Sequence, residues 1–349
     1  MKIEFNKLII DKAADNDPLT HKLRKKLPEA DVEVVSDIKP FVGKKRSRAG
    51  LLVITRHKGK FIKDFPEASG TPPCGEKYIT TLLNCPFSCS YCYLQSYLEH
   101  SQIVVFSNTE DMKEELKSVL AADPPPRITT GEMGDSLAID HLTETTADLL
   151  PLFKESRTLL EVRTKSANID HLFCASEGNL PVASAAKGAD RLLVTWTLTP
   201  PEAIRKEEKG AETLEKRLDA INRISRAGVK VAVRFDPLIP SYFTFGRYEK
   251  IAEKLKEAAE NGIHRFEIGV LRFPPGLWKN VRLKYPESAI MRGEYHRDIE
   301  GKMRLYRPER VKIYRKLHLI LSDYFPDVPV ELSMEHESVW KDAGIELPA

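Results

Sequence analysis

Residues 84–95 read N-C-P-F-S-C-S-Y-C-Y-L-Q and hold three of the chain's five cysteines, Cys85, Cys89 and Cys92. The spacing is C-x3-C-x2-C, with Tyr91 just before the last cysteine. Three thiolates on one short loop suit three irons of a four-iron cluster, because thiolate is the usual iron–sulfur ligand. The fourth iron is then left open to bind and reduce a substrate or cofactor. Three other readings compete. A structural zinc site closes with four ligands, often as two C-x2-C pairs, and none stands nearby. A thioredoxin-like C-x-x-C leaves Cys85 unexplained. Coincidental buried cysteines fit poorly with this density.

The rest of the chain must position such a loop. Its 349 residues are 42% hydrophobic and 30% charged, which suits one large domain with appendages or two domains. The net charge of +3 says little, so the distribution of charge matters more. An odd, bunched set of cysteines argues against a secreted disulfide framework and for a reducing compartment. The N-terminus has no long apolar stretch, and no apolar run approaches the roughly 18–20 residues of a membrane span. The expectation is a cytoplasmic protein with no membrane partner.

Residues 1–70 read as a small α/β region. Strands are predicted at 7–10, 32–35 and 51–55, and a helix at 20–27. The basic run 44–48 reads as a solvated loop. Residues 66–75 are rich in Pro and Gly, contain Cys74, and read as a linker or ordered loop. Residues 77–83 then read as one strand leading into the cysteine loop. From there strands (103–106, 127–130, 159–164, 191–198, 229–235, 264–270) alternate with helices (109–120, 141–152, 169–174, 213–227, 248–261). Such repetition predicts parallel βα packing and a partial (β/α)6 barrel over 71–270. Active residues then belong at the C-terminal ends of strands. The cysteine loop, Gly131, Lys165, the 195–199 region and Asp236 all fall there.

Residues 271–349 lose the alternation and read as a C-terminal extension. Between 265 and 316 there are 14 Lys/Arg against 6 Asp/Glu, interleaved with Phe273, Trp278, Tyr285, Tyr295, Tyr306 and Tyr314. Mixed cations and aromatics can track phosphates and support exposed bases. A helix is predicted at 309–321 and a last strand at 328–332. The tail from Glu337 is expected to fray. No repeats or low-complexity tracts are evident.

The cysteine spacing with its aromatic resembles the radical S-adenosylmethionine (SAM) enzymes. That resemblance implies a [4Fe-4S] cluster whose open iron chelates SAM. Gly131-Glu132 resembles the superfamily's Gly-Glu element, whose carboxylate accepts from the SAM amino group. Lys165 would pair with the SAM carboxylate, Thr197 would add a hydroxyl, and Tyr91 resembles the aromatic near adenine.

Within the superfamily the chain is similar to the spore photoproduct lyase family. The matching stretches are S-Y-C-Y-L-Q at 90–95, G-D-S-L-A-I-D-H-L-T at 134–143, R-T-K at 163–165 followed by I-D-H-L at 169–172, and E-K-R at 215–217. Gly301-Lys302 and Y-F-P at 324–326 also fit. The resemblance implies repair of a methylene-bridged thymine dimer in DNA, within a germinating bacterial spore. It also implies an electron donor such as flavodoxin or ferredoxin, and a C-terminal hairpin that grips the lesion strand. Arg297 sits where a family arginine contacts that strand, although the neighbouring tyrosine is here Asp298.

One departure stands out. Many family members carry a hydrogen-donating cysteine just before the stretch matching Gly134-Asp135. Here those positions are Gly131, Glu132 and Met133. Cys174 reads as core packing. Cys74 is the candidate donor, and Tyr93, beside the cluster loop, its relay. Two alternatives stay open: a different radical SAM reaction on a nucleic acid or small molecule, and a non-enzymatic nucleic-acid-binding protein with a structural metal.

Overall fold

Runs of β-branched and aliphatic residues set the strands, and their alternation sets which side faces inward. The computed structural model describes residues 3–43, 50–67, 70–173 and 189–348. The basic run 44–48 and Cys174 lie outside the described residues. The chain divides into two compact units. One comprises residues 1–65, 75–86 and 97–193; the other comprises 66–74, 87–96 and 194–349.

In the first unit, strands Asp31–Val35, Lys7–Asp11, Leu51–Thr55, Ile103–Phe106 and Leu82–Leu83 form one sheet in that order. The first four run parallel, and the last is antiparallel. Leu8, Ile10, Leu52, Ile54, Ile103 and Val105 pack with Leu19 and Leu23 of the helix Pro18–Lys26. Ile103–Phe106 therefore forms as predicted, but in this sheet and not as a barrel strand. Its four residues are all buried, so nothing in its pattern names a partner. Residues 77–83 are two strands instead of one. Lys77–Ile79 pairs with Arg127–Thr129, whereas Leu82–Leu83 pairs with Val104 and Val105.

The helix predicted at 141–152 is broken into Asp140–Thr143, Thr145–Leu149 and a 3-10 turn Leu150–Phe153. Glu144 separates the first two at φ 55°, and Lys22 and Lys26 hold its carboxylate. The segment 169–174 forms only a 3-10 turn, Asp170–Leu172. A short repeat also emerges. I-D-H-L occurs at 139–142 and 169–172, and in each copy the Leu amide donates to the Ile carbonyl at 2.9 Å. The copies interlock, with His171 Nε2 3.1 Å from the Asp140 carboxylate.

In the second unit, strands Lys230–Leu238, Arg265–Val270 and Val330–Leu332 follow one another across the sheet from Leu192–Thr197, which belongs to this unit from Val194 on. Leu192–Thr197 is buried throughout. Helix Leu214–Arg226 covers its neighbours with Leu214, Leu218, Ile221 and Ile224, and the Thr213 side chain caps its first turn. Strands Lys77–Ile79, Arg127–Thr129, Leu159–Thr164, Leu192–Thr197, Lys230–Leu238 and Arg265–Val270 are those of a partial (β/α) barrel, the fold class predicted.

The C-terminal extension is more ordered than predicted. Strands Arg272–Phe273, Met303–Leu305 and Tyr295–Arg297 form an antiparallel sheet, the last two as a hairpin. Phe273, Trp278 and Tyr295 pack on one another with ring centroids 4.9–5.4 Å apart. Tyr314 is fully buried and donates to Glu335. Phe273 and Tyr314 are core, Trp278, Tyr285 and Tyr295 are half-buried, and Tyr306 is exposed. The tail does not fray. His336 caps a helix Glu337–Ala343 that buries Val339 and Trp340, and the Trp340 indole donates to the Glu335 carbonyl.

Candidate active site

The approach to Cys85 is set by Asn84, which occupies the left-handed region at φ 69°. That conformation costs a non-glycine residue roughly 1–2 kcal/mol. Hydrogen bonds offset the cost. The Asn84 amide group lies 3.0 Å from the His100 carbonyl and 2.9 Å from that of Gln102. Its backbone N–H donates to the Met133 carbonyl at 2.9 Å. Gly134 completes this corner, since a Cβ there would stand 2.7 Å from the Asn84 carbonyl. Replacing Asn84 with valine is expected to destabilise the protein by roughly 2–3 kcal/mol. Asn84→Gly, which removes the backbone penalty, should lose less. Thermal melts of the two variants check this, and equal losses would contradict it.

The second half of the loop is templated by two buried glutamates. Ser88–Cys89 pairs antiparallel with Glu208–Lys209, so the middle cysteine's backbone sits in a ladder with Glu208. The Ser90 hydroxyl donates to the Glu207 carboxylate at 2.6 Å, and the Ser90 amide to the Glu207 carbonyl at 2.8 Å. The Tyr91 phenol donates to the Glu208 carboxylate. Burial, together with that carboxylate, pushes the phenol well above its ordinary pKa. Glu208 also accepts from Thr199 and forms a fully buried ion pair with Arg217 at 2.5 Å. Burial pulls the Arg217 pKa down, but Glu208 outweighs it and keeps the cation. Arg217 further donates to the Thr197 carbonyl at 2.8 Å. Neither glutamate carries a sequence signal of its own; only E-K-R at 215–217 pointed toward this network.

Cys89 is buried, and Cys85 and Cys92 are half-buried. The Cys92 amide donates to the Cys89 carbonyl at 3.2 Å, and the Gln95 side chain donates to the same carbonyl at 2.9 Å. Among the described residues no three His, Cys, Asp or Glu side chains converge as they would on a single ion. Three cysteines within one short loop are a donor set whose chemistry fits an iron–sulfur cluster, since thiolate is its usual ligand.

The strand-end candidates are held as follows. Gly131 has no room for a side chain, since its Cβ would meet that of Arg163 at 2.6 Å. Glu132 is half-buried beside it. Lys165 is half-buried, and its amide donates to the Asp135 carboxylate at 2.7 Å. Asp135 also accepts from Thr164 and from the Leu137 and Ala138 amides. Burial nonetheless raises its pKa above the ordinary value. Arg163, on the same strand, is buried between Glu76 and Glu161. These residues belong to the first unit. Thr197 lies buried in its strand in the second.

The second unit also carries Cys74, Tyr93, Asp236 and Arg297. The half-buried Cys74 has its amide 3.2 Å and its Sγ 4.0 Å from one Glu67 carboxylate oxygen. Tyr93 is half-buried at the start of the turn that leads out of the loop. Asp236, at a strand end, is bound by Arg234 and Arg272; burial opposes its charge, but the two cations hold its pKa below the ordinary value. Arg297 is exposed on the hairpin. Asp298, at its tip, accepts from the Lys302 amide at 2.8 Å and from Arg304 at 2.7 Å. The residue that departs from the family pattern thus closes the hairpin turn.

A partial-barrel α/β fold with a C-x3-C-x2-C loop defines a protein of the radical SAM class. A family model described as spore photoproduct lyase matches residues 48–332. The chain belongs to the spore photoproduct lyase family. Spore photoproduct lyase of Bacillus subtilis (strain 168) is 22% identical over 272 residues, covering 74% of this chain and 76% of that protein. The enzyme of Geobacillus sp. (strain Y412MC61) is 22% identical over 304 residues, covering 82% and 83%. A solved variant of spore photoproduct lyase with dinucleoside spore photoproduct superposes at a TM-score of 0.79. It is 18% identical, and the match covers 95% of this chain and 100% of that one. A second variant, with bound AdoMet and the dinucleoside, gives 0.76 over 95% and 99%. At that identity the structural likeness carries the fold.

Proposed function

We propose that this protein is a lyase that reverses the spore photoproduct, 5-thyminyl-5,6-dihydrothymine, to two thymines in DNA. The carrying observation is the family match over 48–332 on a chain that keeps all three cysteines of the loop. Cys85, Cys89 and Cys92 hold a [4Fe-4S] cluster. Tyr91, Gly131, Glu132, Lys165 and Thr197 hold SAM. When bound, the cluster and SAM would supply the radical chemistry that abstracts a hydrogen atom from the dihydrothymine half of the lesion. The 271–349 region grips the DNA, with Arg297 on the lesion strand. The enzyme works in the bacterial cytoplasm and takes its electron from a flavodoxin- or ferredoxin-like donor.

Opening the bridge leaves a thymine radical that needs a hydrogen atom. The family's usual position offers none here: Gly131 has no space for a side chain, and Met133 is buried. Cys74 is the donor in this reading. Its S–H bond breaks, the thymine C–H forms, and a thiyl remains. The Tyr93 O–H then restores the thiol and leaves a phenoxyl, which recovers its hydrogen from 5′-deoxyadenosine. Cys74→Ala is expected to slow clean thymine formation by about tenfold or more, a barrier change of about 1.4 kcal/mol. Normal, clean product from that variant would remove Cys74 from the cycle.

The reading as a whole is tested by anaerobic reconstitution. The full chain should load about four irons and cleave SAM reductively. A reconstituted protein with iron but no SAM cleavage would support a structural metal site instead.

A further inference from the structure

Glu207 is fully enclosed, at 2% exposure, and its carboxylate gathers three hydroxyls from distant parts of the second unit. Ser90 Oγ donates to it at 2.6 Å from inside the cysteine loop. Ser288 Oγ donates at 2.6 Å, and Tyr242 OH at 2.8 Å. Ser288 caps the 3-10 turn Ala289–Met291, which leads directly into the hairpin strand Tyr295–Arg297. Tyr242 closes the turn after the strand Lys230–Leu238. One buried carboxylate thus links the loop, a barrel-strand exit and the root of the hairpin.

We propose that Glu207 is a positioning residue that fixes the cysteine loop against the root of the lesion-binding hairpin. The inference rests on the proposed function for the role of the hairpin, but not for the linkage itself. The physical case is the cost of leaving a buried carboxylate short of donors. Each hydroxyl it loses is not replaced by water in an enclosed site, so the remaining contacts must shift. The loop segment 87–92 is held from this side by the Ser90 contacts and the two-residue ladder at Glu208. Loosening Glu207 at its far end therefore reaches the loop.

The test is amide hydrogen exchange of the full, iron-reconstituted chain, read without substrate. Ser288→Ala, almost 200 residues from the loop in sequence, should speed exchange across 87–92 by roughly five- to tenfold, as expected when one charge-assisted hydrogen bond is lost. Ser90→Ala should do the same. The double variant should exceed neither single by much, because both act through one carboxylate. Glu207→Gln, which keeps the shape but loses the charge, should match the double variant. Unchanged exchange at 87–92 in Ser288→Ala, or strictly additive effects in the double variant, would overturn the proposal. Both outcomes are read without turnover, so they stand apart from failure of the lyase reading. In the second arm, Ser288→Ala should release more 5′-deoxyadenosine per thymine formed, while its iron content stays unchanged.

Discussion

Cys89→Ala is expected to lose the cluster and to lower lesion reversal by at least about 10³-fold, a barrier change of about 4 kcal/mol. Of the three loop cysteines it is the buried one, and its backbone is fixed by the ladder to Glu208. Removing it leaves two thiolates at the edges of the loop and no third donor nearby in sequence. Solvent cannot supply a substitute thiolate at a buried position, so iron loading fails at the first step. The apoprotein should still fold, because the backbone ladder that fixes Cys89 to Glu208 does not need the thiol. Iron analysis and circular dichroism of the reconstituted variant read both effects. A variant that kept about four irons with full turnover would show that the loop holds no cluster.

Arg217→Met is expected to cost about 3–5 kcal/mol of stability. Arg217 and Glu208 are both fully buried, at 0% side-chain exposure, so the pair has no solvent to fall back on. Losing the cation leaves Glu208 charged in a closed site, where the Tyr91 and Thr199 hydroxyls donate to it but bring no opposite charge. The Thr197 carbonyl loses its donor as well. For a chain of this size the melting temperature should fall by roughly 5 °C. Neutralising both partners, as Arg217→Met with Glu208→Gln, should recover much of the loss, because the penalty comes from the unpaired charge. A double variant no more stable than the single one would place the penalty in packing. Because Glu208 also holds Tyr91, the single variant should release iron to a chelator faster than the parent.

Much of the fold was legible because its signals are local. The strand–helix alternation gave the barrel class, and strand ends located Gly131, Lys165 and Asp236. The cysteine loop was legible because all three thiols lie within eight residues. Signals that depend on partners far along the chain were not. Ile103–Phe106 reads the same in any buried sheet, so its place beside Leu51–Thr55 had no trace in sequence. The break at residues 80–81 and the left-handed Asn84 and Glu144 depend on tertiary hydrogen bonds that outweigh local preference. Glu207 and Glu208 lie 117 residues from Ser90 and Tyr91, and nothing in their flanks marks them as buried. The aromatic residues of the C-terminal region matched a nucleic-acid surface by composition, yet Phe273 and Tyr314 are core. Composition counts rings without telling which way they face.

The most direct measurement is turnover of a dinucleoside spore photoproduct by the anaerobically reconstituted, reduced enzyme with SAM, following thymine, SAM and 5′-deoxyadenosine together. Thymine release over many turnovers is expected while SAM stays nearly constant, as the proposed return of the radical through Tyr93 requires. Steady 5′-deoxyadenosine production with the lesion intact would contradict it and assign this scaffold to a different radical SAM reaction.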